Sequence, residues 1–453
     1  MPNLRVISDN AIERATLTAS TTASNFALSN LVSGRKSDVW RSTATSARLG
    51  ATWAAAEAVQ GVALPFCNLS PTATVRVRAT SEPAVTNLFT YSEQMDNAAW
   101  TKTRSTVPAT NSTAPDGTTT ADTLQGDGTG SSYAYQSKTL SSAGTYPVSV
   151  FVKAGTYAGS FSIRDLTDGG IVSVDLTTLA VSASGNFSSP KLTALANGWY
   201  RLSATITPLT TGSKDISIFN ANTTGNVLVW GVMLGSGSGA LTSYYPSVAS
   251  PGVRPLGYID SWQSYSYDSG NVLACPVPAV TLRGFTAAQA ASAYAFGGGA
   301  TARHWMPAAI QAYGLAVDIV DTGNLQGYIE AAFLLAGPYW EAATNFDYGA
   351  SAQLIDSTKS ERSDAGDLVS DAGTISKKLS LPFSKLSPTD RATLWSILRA
   401  NGSRYPVFVS MFPGSSDLAL ERDHQVYGKL VQLPAMSLPF FNLASATVEI
   451  ESI

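Results

Sequence analysis

Charge is scarce in this sequence. Asp, Glu, Lys and Arg make up 13% of its 453 residues, against about 25% in a typical globular chain. Ser, Thr, Gly, Ala and Asn take their place, so the surface is polar but nearly neutral. Intracellular enzymes and disordered chains usually carry more charge, whereas neutral surfaces suit particle shells and extracellular adhesins. A basic excess is missing too. The net charge of −3 provides no field to draw nucleic acid, and Arg35-Lys36 and Lys377-Lys378 read as solvated turns. Histidine is limited to His304 and His424, and cysteine to Cys67 and Cys275. Two cysteines make neither a disulfide framework nor, alone, a metal site. They read as buried thiols, with a bridge between them left open. No apolar run reaches the roughly 18 residues of a membrane span. The opening Met-Pro-Asn-Leu-Arg-Val lacks the charged-then-apolar build of an export signal. The expectation is a particle component made in the cytoplasm and released by lysis.

What the chain does have is short alternating runs. Val75-Arg76-Val77-Arg78, Tyr146 to Lys153, Phe161-Ser162-Ile163-Arg164, Tyr200 to Ile206, Asp215-Ile216-Ser217-Ile218-Phe219 and Val227 to Trp230 place apolar side chains at every second position. A half-buried strand does the same. Turn signals separate the runs: Pro115-Asp116-Gly117, Asp168-Gly169-Gly170, Asn197-Gly198 and Thr223-Thr224-Gly225-Asn226. Many short strands at this spacing predict a mainly β fold of sandwich type. Two helices interrupt the pattern. Thr286-Ala287-Ala288-Gln289 reads as a capping box, with a helix to about Phe296 stopped by Gly297-Gly298-Gly299. Ser387 caps a second helix, with Pro388 in its first turn, an apolar face of Leu394, Trp395 and Leu398, and a stop at Asn401-Gly402.

Length alone gives a prior of about three domains. Composition shifts at Glu82-Pro83, and again across Gly235-Ser236-Gly237-Ser238-Gly239 and the stretch from Pro246 to Pro255. The expected layout is a discontinuous β-sandwich host domain, 1–84 plus 255–300, an inserted module at 87–246, and a C-terminal β-rich domain at 301–453 with a helix near 387–401. Insertions of this kind are tolerated where the ends lie close together. Cys67 before the insertion and Cys275 after it could occupy neighbouring strands.

Residues 87–246 resemble the jelly-roll, carbohydrate-binding-type module of phage tail and tail-fibre proteins. The resemblance is carried by Asn87-Leu88-Phe89-Thr90-Tyr91-Ser92 through Trp100-Thr101-Lys102, then Thr113-Ala114-Pro115-Asp116-Gly117, Val148 to Gly155, Asn197-Gly198-Trp199-Tyr200-Arg201, Val229 to Leu234 and Ser243-Tyr244-Tyr245-Pro246. It implies a β-sandwich and glycan binding without fixed site residues. In the flanks, Trp40-Arg41-Ser42 with Leu49-Gly50-Ala51-Thr52-Trp53 and Asn68 to Arg78 are similar to discoidin-like domains of tail proteins. Gly327-Tyr328-Ile329-Glu330, Ala336 to Trp340, Tyr427 to Leu430 and Val448 to Ser452 resemble the ending half of a tail-tip or baseplate domain. The resemblance implies a virion protein of the phage tail, present in three or six copies. Its partners would be other tail or baseplate proteins and a host cell-surface glycan.

No Gly-rich phosphate loop precedes a Lys-Ser or Lys-Thr, and the letters of a nucleophile elbow occur only in the Gly-Ser run, which reads as a linker. Arg303-His304-Trp305 could bind an anion, and Asp423-His424 could mimic an acid–base pair. If they lie on a strand, however, the two side chains diverge. Asp165, Asp168 and Asp175 could pair for sugar hydrolysis or ligate calcium, but Asp168 in Asp-Gly-Gly reads as a turn residue. No catalytic residue, metal or cofactor is expected. The competing reading is a virion glycan depolymerase or esterase. Glycan binding needs exposed aromatic faces beside hydrogen-bonding groups. The inserted segment offers Trp100, Tyr133, Tyr135, Tyr157, Trp199, Tyr200 and Trp230. Trp199, Tyr200 and Trp230 sit among core-like strands. Tyr133 and Tyr135 alternate on one strand face and Tyr157 sits in a Gly-flanked turn, so these three are the candidate glycan-binding residues.

Overall fold

The computed structural model describes residues 3–108, 112–237, 240–260, 262–263, 265–276 and 280–453. Ser238 and Gly239 of the glycine–serine run lie outside the described residues. The fold is mainly β, with a few short helices. Its contacts divide the chain into two units, Met1–Ser81 with Tyr265–Ile453, and Glu82–Ser264.

In the first unit two long strands, Ser46–Cys67 and Ala300–Val320, pair antiparallel, with register shifts between Trp305 and Ile310 and between Ala312 and Gly314. Thr74–Thr80 pairs with the second of them, and Val272 lies opposite Val75. The chain leaves this unit at Ser81 and returns beside it, where the Ser81 amide donates to Ser266 Oγ at 2.9 Å. A division at 300/301 would fall at the start of a strand whose partners lie in 46–80. The N-terminal strand Arg5–Ile7 in turn pairs with Tyr339–Glu341 and Val407–Ser410. The sheet structure of this unit therefore runs across the expected boundary between 255–300 and 301–453. Cys67 and Cys275 are both buried free thiols. Cys67 Sγ donates to the Ala300 carbonyl at 3.4 Å, and the neighbouring Cys67 thiol together with burial pushes the Cys275 thiol well up.

The second expected helix is present as Pro388–Asn401, with the Ser387 hydroxyl accepting the Asp390 amide. Asp390, Leu394, Leu398 and Asn401 form its buried stripe, while Trp395 is 48% exposed. One residue past Leu394 is about 100° around the helix, so Trp395 leaves the face assigned to it from sequence. The first helix is shorter than expected. The capping box of Thr286 and Gln289 is formed, but the α-helix covers only Ala287–Ala290, and Tyr294–Phe296 is a 3-10 turn. Tyr294 is drawn into the core, where its hydroxyl donates to Glu330 Oε1 at 3.1 Å, and this rotates the chain out of α geometry. A third helix, Leu418–Asp423, capped by Asp417, had no counterpart in the sequence reading.

The second unit is a sandwich of two six-stranded antiparallel sheets. The first sheet runs in the order Val181–Ser184, Ile171–Asp175, Ser160–Asp165, Gly212–Asn220, Ser132–Leu140, Thr101–Thr103. Alternation decides which side chains go inward. Ala134, Phe161, Ile163, Ile216 and Ile218 from this sheet meet Val148, Val150, Val152, Leu202, Val227 and Val229 from the other. On the outer face of the second sheet, Phe151 and Trp230 pack with Tyr244 and Trp262, with ring centroids 5.0 to 5.7 Å apart. Arg201 lies with them, donating to Ser149 Oγ and to the Thr242 carbonyl. Thr242, Tyr244 and Trp262 thus cover that face. Gly231, at φ +62°, makes room: a Cβ there would lie 2.8 Å from the Phe151 ring, in a backbone region that side chains avoid.

Candidate functional site

The outer face of the first sheet is built from the residues that alternation turns away from the core. Tyr133 lies opposite Phe219 and Thr103, and Tyr135 opposite Ser217 and Thr101. On the far side of Gly212–Asn220, Ser162 is opposite Phe219 and Arg164 opposite Ser217. Ser173 and Ser182 continue the first row, with their hydroxyls 2.9 Å apart. Directly opposed residues of an antiparallel pair share a face, so these side chains form one surface rich in hydroxyls.

An aromatic stripe crosses it. The rings of Tyr133 and Phe219 stack at 5.8 Å with a 15° tilt, and Tyr135 lies 6.2 Å from Tyr133. The Arg164 guanidinium covers the other side of Phe219, with its Cζ 3.3 Å from the ring centroid. Phe219 is therefore only 7% exposed, while Tyr133, Tyr135 and Arg164 are half-buried. Ser162 and Ser217 form the buried floor. Arg164 Nε donates to Ser162 Oγ at 3.0 Å. Burial lowers the affinity of this guanidinium for its proton, but from so high a starting value that the group stays charged at neutral pH. Among the described residues, the ring contacts of Tyr133, Tyr135 and Phe219 are with one another and with Arg164. Among the described residues of the unit none contributes an aromatic lid to this face, in contrast with the second sheet.

Of the three residues singled out in sequence, the structure brings Tyr133 and Tyr135 together and leaves Tyr157 apart. Tyr157 sits between Tyr146–Ala154 and Ser160–Asp165 and packs against the core. Its hydroxyl accepts the Ser160 amide at 2.8 Å. Trp100, Trp199 and Trp230 are buried, and Tyr200 packs on the core. Phe219 and Arg164 were missed, although parity exposed them. Within Asp215 to Phe219 and Phe161 to Arg164 they fall on the positions opposite Ile216, Ile218, Phe161 and Ile163.

The carboxylates have local tasks. Asp165 accepts the amides of Thr167 and Asp168 at 3.0 and 3.1 Å and the side-chain amide of Asn186 at 2.8 Å. Asp168 pairs with Lys214 at 2.5 Å, and Asp175 accepts the amides of Thr177 and Thr178. In the first unit Arg303 pairs with the buried Glu421 at 2.5 Å, and His304 Nε2 meets the Tyr267 hydroxyl at 2.6 Å. Asp423 and His424 lie at a helix end rather than on a strand. His424 Nδ1 lies 2.9 Å from the Leu420 carbonyl, and Asp423 pairs with Arg422. Among the described residues no three His, Cys, Asp or Glu converge as metal ligands, and no helix is long and apolar enough to cross a membrane.

No protein-family model matches the chain, and no curated protein matches it in sequence. Several solved structures are similar to part of it. One is the CBM22-1–GH10 module pair of a Clostridium thermocellum endo-1,4-β-D-xylanase complexed with xylohexaose, at 18% identity and TM-score 0.24, covering 35% of this chain and 29% of that one. A second is the enzymatically active domain of tailspike protein 4 of bacteriophage CBA120, at 16% identity and TM-score 0.23, covering 33% and 21%. A third is a carbohydrate-binding module of a Cellvibrio mixtus lichenase in complex with cellotriose, at 15% identity and TM-score 0.21, covering 33% and 98%. This chain thus spans under a third of the first two proteins. Similarity at this level assigns no substrate or activity to it.

Proposed function

We propose that the chain is a non-enzymatic structural component of a phage tail tip or baseplate, and that its unit 82–264 holds a host cell-surface glycan on the outer face of the first sheet. The observation that carries the glycan reading is the stripe Tyr135–Tyr133–Phe219–Arg164, set among serine and threonine hydroxyls. Tyrosine rings offer flat apolar surface to the C–H faces of a sugar, and hydroxyl and guanidinium groups bond its hydroxyls. The sandwich needs none of these aromatics for its own core, which closes on Ala134, Ile216 and Ile218 behind them. Asp165, Asp168 and Asp175 are bound into turns and an ion pair, which favours recognition over hydrolysis. The low charge of the chain and its resemblance to tail modules support a place in the virion, beside other tail proteins and in a ring of three or six copies.

Two experiments test this. On an oligosaccharide array, full-length protein with Tyr133→Ala and Tyr135→Ala together should lose binding by more than about tenfold, since a stacked ring contributes about 1 kcal/mol beyond its buried area. Unchanged binding by this variant removes the face from consideration. Antibody against 87–246 should decorate the tail of intact particles, and label absent from the tail rejects the virion role.

A further inference from the structure

We infer that the glycan taken by this face is acidic, its anionic substituent paired with Arg164 while the sugar ring lies on Tyr133 and Tyr135. This rests on the reading of the face as a glycan site. Arg164 is held in place on two sides, by the Phe219 ring beneath its guanidinium and by the Nε bond to Ser162. Its two terminal nitrogens make no hydrogen bond to a described residue, and no described carboxylate lies within ion-pair distance. The other arginines packed into this unit are compensated differently. Arg254 pairs with Glu82 at 2.7 Å, and the Arg201 guanidinium donates to Ser149 Oγ and to the Thr242 carbonyl. Two carboxylates share the outer face with Arg164 and both are occupied: Asp215 accepts the Ser137 hydroxyl at 2.5 Å, and Asp175 accepts the Thr177 and Thr178 amides at 2.9 and 2.8 Å.

A half-buried cation without a counter-charge is costly. A guanidinium whose plane is already fixed loses little freedom on pairing and offers parallel donors to a carboxylate, phosphate or sulfate. A neutral hydroxyl can accept a bond from it but cannot offset the charge. Position matters equally. Arg164 stands across Phe219 from Tyr133, so a ring on the tyrosines can present a substituent to it without leaving the stripe.

The test uses full-length protein and an array of matched pairs: oligogalacturonate with its methyl ester, and phosphorylated and sulfated oligosaccharides with their unsubstituted parents. The pairs separate charge from ring identity, and the three acids distinguish carboxylate from phosphate and sulfate. Wild-type protein should prefer the acidic member of at least one pair by about tenfold, as one charge-assisted contact provides. Arg164→Gln should equalise that pair while retaining binding of the neutral member, and Arg164→Lys should retain part of the preference. Unchanged thermal midpoints for both variants establish that the fold is kept. Equal binding of acid and neutral members by wild type, or a preference that survives Arg164→Gln, overturns the inference and leaves the glycan face standing. Binding of no member, or binding indifferent to loss of both tyrosines, removes the face itself and the inference with it.

Discussion

Replacing Asp122 with asparagine should make the 82–264 unit more stable at neutral pH and give no gain in acid. Asp122 opens the strand Asp122–Gly126 and is 4% exposed. Its carboxylate accepts the Met95 amide at 2.5 Å, which holds the loop that buries Met95 and Trp100. Burial dominates its titration and, helped by Asp96, lifts the carboxyl from its ordinary 3.8 to about 6 against the pull of the Met95 amide and Lys102. Between those two values the folded chain holds a proton that the unfolded chain has released. Stability therefore falls as pH rises through this window. At about 1.4 kcal/mol per pH unit of separation, the ionised carboxylate costs the native state about 3 kcal/mol at pH 7.5. Asparagine keeps the acceptor for Met95 and introduces an amide donor whose unmet bonds cost about 1–1.5 kcal/mol. The balance is a gain of about 1.5 kcal/mol, or roughly 3–6 °C in midpoint for a unit of this size. At pH 4 the aspartate is protonated when folded and the advantage vanishes. Calorimetry of wild type and Asp122→Asn at pH 4, 6 and 7.5 reads this directly. Equal destabilisation at pH 4 and pH 7.5 would refute the reasoning, because it would mean that the carboxylate is not penalised by burial.

Other outcomes follow from single contacts. Cys67 and Cys275, buried and unbridged, should resist iodoacetamide in the native protein and both react once it is unfolded, as mass spectrometry would show. Ser387→Ala removes the cap that accepts the Asp390 amide at 3.1 Å and should cost about 1 kcal/mol in denaturant melts. Arg303→Met strands Glu421, whose side chain is 1% exposed. It should cost about 3 kcal/mol, the low end for a broken buried pair, because Gln425 still donates to that carboxylate. The double change with Glu421→Met should cost less than Arg303→Met alone.

The sandwich was legible because its signal is local. Alternation in Tyr146 to Lys153 or Asp215 to Phe219 states which side chains go inward, whichever strands lie alongside. The helix at Pro388–Asn401 was legible for the same reason, since Ser387, Pro388 and Gly402 mark its ends within a few residues of chain. What failed depended on distant partners. The helix after Thr286 stops early because Tyr294 finds Glu330, a residue far along the chain. The strand Ala300–Val320 joins 46–67 and 74–80, and nothing in its own sequence names those partners.

The candidate site divides along the same line. Tyr133 and Tyr135 could be paired from sequence because two residues along one strand must share a face. Phe219 and Arg164 complete the stripe only because Ser132–Leu140 and Ser160–Asp165 both flank Gly212–Asn220 in a register that sets Tyr133, Phe219 and Ser162 in one row. The same dependence separates the two sheets. Phe151 and Trp230 face outward from the second sheet as Tyr133 and Phe219 do from the first, yet Tyr244 and Trp262 close over them. An outward aromatic is therefore not a binding residue by parity alone. It becomes a candidate only where no described residue covers it, and in this unit Tyr244 and Trp262 pack on one face of the sandwich while the tyrosines stand on the other.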